Sequence, residues 1–307
     1  MSVRYFNLAL FLLGFFQIFA ATTFAGKPNV LLIAIDDMND WASCLGGHPD
    51  GKTPNIDRFA RRGTLFTNAH CQAPICNPSR TSVMYGLRPS SSGVYGNGPF
   101  PWKVAHMQDY VTLPRWFARN GYVTATTGKI YHSSGLPDGD FDIVGPRPGQ
   151  RMNDLDERLR KELSGLWDFG PQRYDETLFQ DHVDATWAIQ QLQELGDKPF
   201  FLAVGFYRPH VPFYAPTRVF EQVPRDSVTL PPVKDDDWND IPPIAHEVTF
   251  NEAPPPHSWF VENDTWKDAV QAYLACIRWT DEQVGRVLDA LAASQHADDT
   301  VVILYSD

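Results

Sequence analysis

The 307-residue sequence has few cysteines, no cluster of basic residues and no internal repeat. Four cysteines (Cys44, Cys71, Cys76 and Cys276) are too few to hold a chain of this length together by disulfides, so a hydrophobic core must stabilise it. Lys and Arg number 26 against 37 Asp and Glu, which gives a formal net charge of -11. Nucleic acids are bound by clustered cations that release counterions from phosphate, so this composition argues against a nucleic-acid partner.

A long apolar run occurs only at the N-terminus. Residues 8–19 are apolar apart from Gln17, Arg4 precedes them, and positions 20–25 hold small residues apart from Phe24, the pattern of a secretory signal peptide. The alternative is a membrane anchor, but the run is shorter than the roughly 20 residues that a span needs. We therefore expect residues 1–25 to be removed, no stable membrane span, and export to the periplasm, the extracellular space or the lysosome.

Short apolar runs alternate with amphipathic segments along the rest of the chain. Strand-like runs occupy residues 30–35, 122–126, 200–204 and 301–305. Helical patterns occupy residues 53–63 and 112–121, which begin with Thr53 and Thr112 as predicted N-caps. Two further helical patterns are a segment with Ala185, Ala188, Ile189 and Leu192 and a long segment from Val270 to Leu291. This alternation predicts a layered α/β fold. The Pro-, Asp- and Gly-rich stretches 136–171 and 209–256 are expected to be surface excursions, and we assign them no secondary structure.

Two of the predicted strands end in acidic residues: Asp36 and Asp37 close the first, and Asp307 closes the last. Ligands of open α/β sheets bind at the carboxyl ends of strands, so these carboxylates converge if the two strands are neighbours. Converging carboxylates repel one another unless a cation lies among them, and an all-oxygen set suits Ca²⁺ or Mg²⁺ better than Zn²⁺. Taken singly, each acid could equally be a helix cap or a turn residue.

The segment CNPSR at residues 76–80 carries the most chemical information. Pro78 suits the first turn of a helix, which puts Cys76 just ahead of a helix N-terminus, where free N–H groups favour anions. Arg80 then lies on the same face as Cys76. The segment thus brings a nucleophile, an anion-binding helix end and a guanidinium together. From the residues alone, a buried structural cysteine beside a helix cap is an equal alternative.

Several blocks of the sequence resemble the sulfatase family. CNPSR matches the signature C-x-P-S-R and is followed by Met84, Gly86 and Arg88. The other blocks are PNVLLIAIDD, TPNID, GYVTATTGKIYH and FFLAVGFYRPHVPF, which begin at residues 28, 53, 121 and 200. Together they cover nearly the whole chain after residue 25 and are most similar to the iduronate-2-sulfatases. The resemblance implies an alkaline-phosphatase-like α/β fold, in which helices sandwich a mostly parallel sheet.

The resemblance also implies a modified residue and a metal. In sulfatases the signature cysteine, here Cys76, is oxidised to formylglycine by a formylglycine-generating enzyme, and the hydrated aldehyde attacks sulfur. Asp36, Asp37 and Asp307 are expected to hold Ca²⁺, or Mg²⁺, together with the modified Cys76 and an Asn or His that the family places after Asp307. The implied substrate is a sulfated carbohydrate such as a glycosaminoglycan.

Four further residues are expected to act on the substrate. Arg80 and Lys129 neutralise the sulfate, His132 helps to deprotonate the diol, and His210 protonates the leaving oxygen. Taken one at a time, Lys129 could be a solvated loop lysine and each histidine a turn residue with satisfied hydrogen bonds. His48 and His70 lie outside the family blocks and are expected to be structural.

Two rival functions remain open. Phosphate and phosphonate ester hydrolases share the broad fold, and a sulfatase relative that only binds carbohydrate would carry many of the same residues. The family places a lysine and a C-terminal subdomain beyond the position of Asp307. Residues 26–307 are therefore expected to be an incomplete N-terminal catalytic domain that is inactive, or poorly folded, by itself.

Overall fold

The computed structural model describes residues 26–132, 135–146, 158–160, 163, 166–234, 236–249 and 255–307. The predicted signal peptide lies outside the described residues, as do parts of the two stretches expected to be surface excursions. Across the described ranges, each helix is too short or too polar to span a membrane.

The helices and strands alternate along the chain. The strands are β1 (Asn29–Ile35), β2 (Val123–Gly128), β3 (Ile143–Val144), β4 (Phe169–Gln172), β5 (Phe200–Phe206), β6 (Phe213–Pro216) and β7 (Thr300–Ser306). The α-helices are α1 (Pro54–Ala60), α2 (Cys76–Tyr85), α3 (Pro89–Ser92), α4 (Leu113–Arg119), α5 (Gln180–Glu194), α6 (Thr217–Glu221), α7 (Pro243–Thr249), α8 (His257–Glu262) and α9 (Trp266–Ala292). Single 3₁₀ turns occur at Pro101–Lys103, Ala105–Met107, Glu176–Leu178 and Arg225–Ser227.

A parallel sheet in the order β3-β2-β5-β1-β7 forms the centre of the protein. Helices α1, α5 and α9 cover one face, and α2 and α4 cover the other. This arrangement confirms the predicted layered α/β fold. The order of the strands puts β1 between β5 and β7, so the three strands that carry the site end at one edge.

The packing of strand β1 explains why its sequence is apolar at every position but the first. Successive side chains of a strand point to opposite faces, so Leu31, Ile33 and Ile35 enter the core beneath α5 and α9, while Leu32 and Ala34 enter the core beneath α2. None is more than 3% exposed. Burial of each Leu or Ile side chain contributes about 1.5–3 kcal/mol to the free energy of unfolding. The strand is thus covered on both faces, which is why its apolar run is continuous and does not alternate.

The expectation that stretches 136–171 and 209–256 are surface excursions is wrong for two short segments. Strands β4 and β6 pair in parallel and pack on α9, where Phe169 and Ala215 are buried in a cluster with Trp279. Each strand has only four residues, and both contain proline, so neither carries a readable alternation. Their burial depends on α9, which lies far away in the sequence.

The N-terminus of α1 differs from the prediction that Thr53 caps it. The Thr53 side chain makes no capping hydrogen bond. Instead, the carboxylate of Asp281 in α9 accepts the backbone N–H groups of Asn55 and Ile56, at 3.1 and 2.8 Å. A residue distant in sequence thus satisfies the helix end. At α4 the corresponding prediction is confirmed, since Thr112 Oγ1 accepts the N–H at the third helical position.

Candidate active site

The carboxyl ends of β1 and β7 meet at one edge of the sheet. The two parallel strands pair Ile35 with Ser306, so Asp36 and Asp307 leave the sheet side by side. Asp37 has a φ of 57°, and its backbone N–H donates to Asp307 Oδ1 at 3.0 Å. An oxygen of each of the three carboxylates lies within 4.8 Å of the others. The structure therefore brings the three predicted acids together.

The three carboxylates have different electrostatic surroundings. Burial opposes the ionisation of Asp36, but the charges of Lys129 and Arg80 hold its pKa well below the usual range. Desolvation and the charges of Asp36 and Asp307 raise the pKa of Asp37 to about 7, although its side chain is half-exposed. Burial also raises the pKa of Asp307. When all three carboxylates are ionised, Lys129 and Arg80 leave one negative charge unbalanced, and this charge adds to desolvation in raising the pKa of Asp37.

This donor set fits a hard divalent cation. Carboxylate oxygens are the preferred ligands of Ca²⁺ and Mg²⁺, and oxygens about 2.4 Å from a central Ca²⁺ are at most about 4.8 Å apart. The oxygens of Asp36, Asp37 and Asp307 meet that limit. Asp36, Cys76 Sγ and His210 form a second group with the same spacing, so the predicted contribution of a modified Cys76 is compatible with the cluster.

Calcium is expected to stabilise the protein through Asp37. Binding to the folded state alone adds about 2.7 kcal/mol at a free Ca²⁺ concentration 100 times the Kd. The Asp37→Asn variant should lose this response and, in EDTA, should be as stable as the unmodified sequence or slightly more so, because carboxylate repulsion is relieved. Thermal unfolding with CaCl₂ and with EDTA measures both effects.

Asp298→Asn removes a carboxylate that is exposed and remote from the cluster, so it should leave the calcium response unchanged. An equal calcium-induced rise in Tm for Asp37→Asn would show that these carboxylates do not hold the ion.

Arg80 ties the two strand ends together from α2. Its Nη2 donates to Asp36 Oδ1 at 2.9 Å, and its Nε donates to Asp307 Oδ2 at 2.6 Å. Nη1 donates to the backbone carbonyls of Lys129 and Ile130. The side chain is fully buried. These contacts show Arg80 bridging acids and backbone, and its expected action on sulfate stays a prediction.

Lys129 enters the site because β2 and β5 approach closely. Gly128 pairs with Gly205, and a Cβ at Gly128 would lie 2.0 Å from the Gly205 carbonyl oxygen. Beyond this contact, Lys129 Nζ binds Asp36 and lies 3.7 Å from Cys76 Sγ. Lys129 is only 8% exposed, so the alternative of a solvated loop lysine is wrong.

Cys76 is the first residue of α2 and does not precede the helix as predicted. Ile75 takes the extended N-cap conformation, and Pro78 is tolerated in the first turn because its missing N–H would have no intrahelical partner there. Cys76 Sγ lies 4.0 Å from Asp37 Oδ1. Burial and the charge of Asp36 raise the pKa of the thiol to about 12. The unmodified thiol is therefore protonated at neutral pH and a poor nucleophile.

His210 faces the carboxylates from the loop after β5. Its Nδ1 lies 2.6 Å from the Val211 carbonyl oxygen, which can only accept, so Nδ1 carries a proton. Nε2 then lies 3.6 Å from Asp37 Oδ2. Burial lowers the pKa of the imidazole to about 4, so at pH 7 Nε2 is unprotonated.

His132 lies after β2, beyond Lys129, and is half-buried. Within the described ranges, its Nδ1 is buried without a hydrogen-bond partner. Burial and the charge of Lys129 lower the pKa of the ring to about 4. His132 is therefore neutral at pH 7, and the alternative of a turn histidine with satisfied hydrogen bonds does not describe its Nδ1.

Two residues that hold the site were not identified from the sequence. Asp181 accepts the backbone N–H groups of Tyr207 and Arg208, at 2.6 and 3.1 Å, and so positions the loop that carries the second histidine. Tyr273 Oη donates to the Asp37 carbonyl oxygen at 2.8 Å. An acid in the first turn of a helix, such as Asp181, usually stabilises the helix, and a tyrosine on an apolar helix face, such as Tyr273, usually packs in the core. No local signal in the sequence therefore marked either residue as part of the site.

The structure also describes the three other cysteines and the two histidines that were expected to be structural. Cys44, Cys71 and Cys276 are unpaired, and Cys276 is fully buried in α9. His48 Nε2 lies 3.0 Å from a backbone carbonyl oxygen, and His70 is exposed.

Comparison with known proteins connects this geometry to a family. The sequence profile of the sulfatase family matches residues 28–307. A sulfatase of Formosa agariphila is 40% identical over 298 residues, which cover 92% of this chain and 58% of that protein. The iduronate 2-sulfatase of Homo sapiens is 32% identical over 302 residues, which cover 91% of this chain and 54% of that protein. The chain thus spans little more than half the length of these relatives.

Solved structures share the fold. A phosphonate monoester hydrolase of Agrobacterium radiobacter superposes with a TM-score of 0.73 at 21% identity, covering 91% of this chain and 62% of that one. A 2-O GAG sulfatase superposes with a TM-score of 0.63 at 22% identity, covering 92% and 58%. At this identity the likeness establishes the alkaline-phosphatase-like architecture and not the reaction. The profile match and the 40% identical relative establish more: the chain belongs to the sulfatase family.

Proposed function

We propose that this chain carries the catalytic site of a sulfuric ester hydrolase that removes sulfate from a sulfated carbohydrate. Cys76 is converted to formylglycine, and Asp36, Asp37 and Asp307 hold Ca²⁺ or Mg²⁺ beside it. The single observation that carries the proposal is the position of Cys76 Sγ, 3.7 Å from Lys129 Nζ and within the ligand spacing of Asp36. This arrangement puts a modifiable side chain, a cation and a metal-binding cluster at one point in a chain of the sulfatase family.

The proposed substrate is a 2-sulfated uronic acid in a glycosaminoglycan. The human relative at 32% identity is an iduronate 2-sulfatase, and one structural neighbour is a 2-O GAG sulfatase. Another neighbour was solved in complex with its substrate, D-glucosamine-2-N,6-O-disulfate. These names support a sulfated sugar, and the substrate itself belongs to the proposal.

The chemistry divides among residues of this chain. Water adds to the formylglycine aldehyde at position 76 to give a geminal diol; one hydroxyl attacks sulfur and displaces the sugar alcohol, and the other loses its proton so that sulfate leaves and the aldehyde re-forms. A divalent cation held by Asp36, Asp37 and Asp307 would supply Lewis-acid polarisation. Lys129 Nζ neutralises charge on the sulfate oxygens, a stabilisation that is strong in a buried site. His132 Nδ1 accepts a proton from the diol. His210 Nε2 faces the carboxylates and delivers a proton to the leaving oxygen once the anionic ester favours its protonated form.

Maturation has to precede folding. Cys76 is 7% exposed in the folded chain, so a formylglycine-generating enzyme cannot reach its thiol there. We propose that this enzyme acts on the extended CNPSR segment and that residues 1–25 direct export. The expectation that residues 26–307 alone are inactive stays a prediction, so the primary test must not depend on turnover.

Mass spectrometry of the peptide that contains Cys76 provides that test. After coexpression with a formylglycine-generating enzyme, we expect the mass change of thiol-to-aldehyde conversion at Cys76 and no change at Cys71. Replacing Arg80, part of the signature, should reduce conversion. An unmodified Cys76 would contradict the proposed nucleophile and favour a relative that only binds carbohydrate.

Phosphate or phosphonate ester hydrolysis is the second candidate function, because the phosphonate monoester hydrolase superposes with a TM-score of 0.73. A parallel assay of 4-nitrophenyl sulfate and 4-nitrophenyl phosphate separates the two reactions in the protein that carries this sequence. We expect the higher kcat/KM with the sulfate. A preference for the phosphate would overturn the sulfatase proposal.

A further inference from the structure

A second cavity lies at the far end of α2 from Cys76. It has a volume of about 320 Å³, within the range of small-ligand sites. Tyr85, Trp102 and Met107 are among the residues that line it. Tyr85 is nine residues after Cys76, which corresponds to about 13 Å along a helix axis. The cavity is therefore distinct from the site around the carboxylates but close enough for one extended ligand to occupy both.

The polar groups of the cavity both donate and accept. Lys103 and Gln108 lie on its rim, and their side chains make no hydrogen bond or ion pair with the described part of the chain. Tyr85 Oη has no partner there either and lines the cavity. Asp138 adds a carboxylate acceptor to the rim. The charge of Arg115 is already paired, since its Nη2 lies 3.3 Å from Asp140 Oδ1 and also donates to the Asp138 carbonyl oxygen.

This combination matches a sugar ring better than a bare anion. Hydroxyl groups donate and accept, as the mixed set of Lys103, Gln108 and Asp138 requires. Inorganic sulfate offers acceptors only, so it would leave the Asp138 carboxylate without a donor, whereas a sugar hydroxyl can donate to it. Trp102 and Tyr110 offer aromatic faces with polar edges, which suit the apolar face of a pyranose, and the side chain of Tyr110 is 45% exposed.

Aromatic rings connect the cavity to the catalytic residues. Phe100 and Trp102 stack with their centroids 5.1 Å apart and an interplanar angle of 17°. The Phe100 ring lies 6.5 Å from His132, and Trp102 packs edge-on against Tyr131. Phe100 and Trp102 are partly exposed. Phe100 and Trp102 thus connect His132, the proposed proton acceptor, to the cavity.

We infer that this cavity is a second saccharide subsite, which binds a pyranose unit of the glycan whose sulfated unit occupies the catalytic site. The inference rests on the proposed function for the identity of the glycan, but not for the presence of the cavity. The subsite selects oligosaccharides over single sulfated sugars.

The test measures binding of a heparin tetrasaccharide and of its unsulfated counterpart, a heparosan tetrasaccharide, by titration calorimetry. Trp102→Leu and Lys103→Gln should each weaken binding of both probes about five- to tenfold, because each removes a side chain that contacts the sugar. Trp116→Leu and Lys198→Gln change exposed residues that do not line the cavity and should leave binding unchanged. Lys103 is exposed, so its variant is expected to fold even if Trp102→Leu does not.

The outcomes separate the two proposals. Absence of tetrasaccharide binding, or equal binding by Lys103→Gln and Lys198→Gln, overturns the subsite. Weakened binding by the cavity variants together with an unmodified Cys76 leaves the subsite standing and rejects the sulfatase function. If both proposals hold, Lys103→Gln raises KM for a sulfated tetrasaccharide, whereas the control Lys198→Gln changes neither that KM nor kcat/KM for 4-nitrophenyl sulfate.

Discussion

Replacing Arg80 with methionine is expected to lower the free energy of unfolding by about 3–5 kcal/mol, the cost of breaking a buried ion pair by removing one partner. Arg80 lies between Asp36 and Asp307, at the carboxyl ends of β1 and β7, and forms an ion pair with each. Without the guanidinium, two carboxylates that are largely shielded from water lose their shared cation. Urea unfolding in EDTA, followed by tryptophan fluorescence, measures the change without contribution from a bound metal.

The matched control is Arg58→Met. Arg58 forms an ion pair with Asp289 at 2.6 Å, the same distance as the pair between Arg80 Nε and Asp307, but both side chains are about half-exposed or more. A solvated pair of this kind contributes about 0–1 kcal/mol. Similar losses of unfolding free energy in Arg80→Met and Arg58→Met would show that burial of Arg80 does not determine its contribution to stability. That result would also undermine the view that this residue joins the strand ends.

Replacing Cys76 with alanine is expected to abolish sulfate ester hydrolysis in the protein that carries this sequence. Removal of a catalytic nucleophile can lower kcat by about 10⁶-fold, and formylglycine cannot form from alanine. The assay is hydrolysis of 4-nitrophenyl sulfate. The calcium-dependent rise in Tm should persist in part, because Asp36, Asp37 and Asp307 remain.

Cys71→Ala is the control for this prediction. Cys71 is exposed and lies five residues before Cys76, outside the CNPSR signature, so its loss should change neither conversion nor turnover. A Cys76→Ala variant that keeps a tenth or more of the activity would contradict a covalent role for residue 76. Equal losses of hydrolytic activity in Cys76→Ala and Cys71→Ala would indicate a general effect on folding.

Secondary structure with a strong local pattern was predictable. Strand β1 is apolar at nearly every position because both of its faces are covered, and α9 shows a helical apolar stripe because one side packs on the sheet and on β4 and β6. Thr112 caps α4 from the adjacent position, a contact that depends only on neighbours in sequence. Such features depend on a few neighbouring residues, so they can be predicted without knowledge of the rest of the chain.

Contacts between distant segments were not predictable. Thr53 has the residue type of a cap, yet Asp281 caps α1, since α9 passes close enough to present its carboxylate. Strands β4 and β6 are stable only because they pack on that same helix. Asp181 and Tyr273 act on backbone groups of the site loops, and their sequence neighbours give no sign of it.

The sequence by itself determined the α/β class, the acids at the ends of β1 and β7, the CNPSR segment and the resemblance to sulfatases, because each of these depends on residue types in short, ordered runs. The tertiary structure alone decided that β7 lies beside β1, that Arg80 bridges Asp36 and Asp307, that Lys129 reaches Cys76, and that a cavity opens beyond α2. Strand order and side-chain contacts across the sheet depend on how all elements pack at once, which no local pattern records.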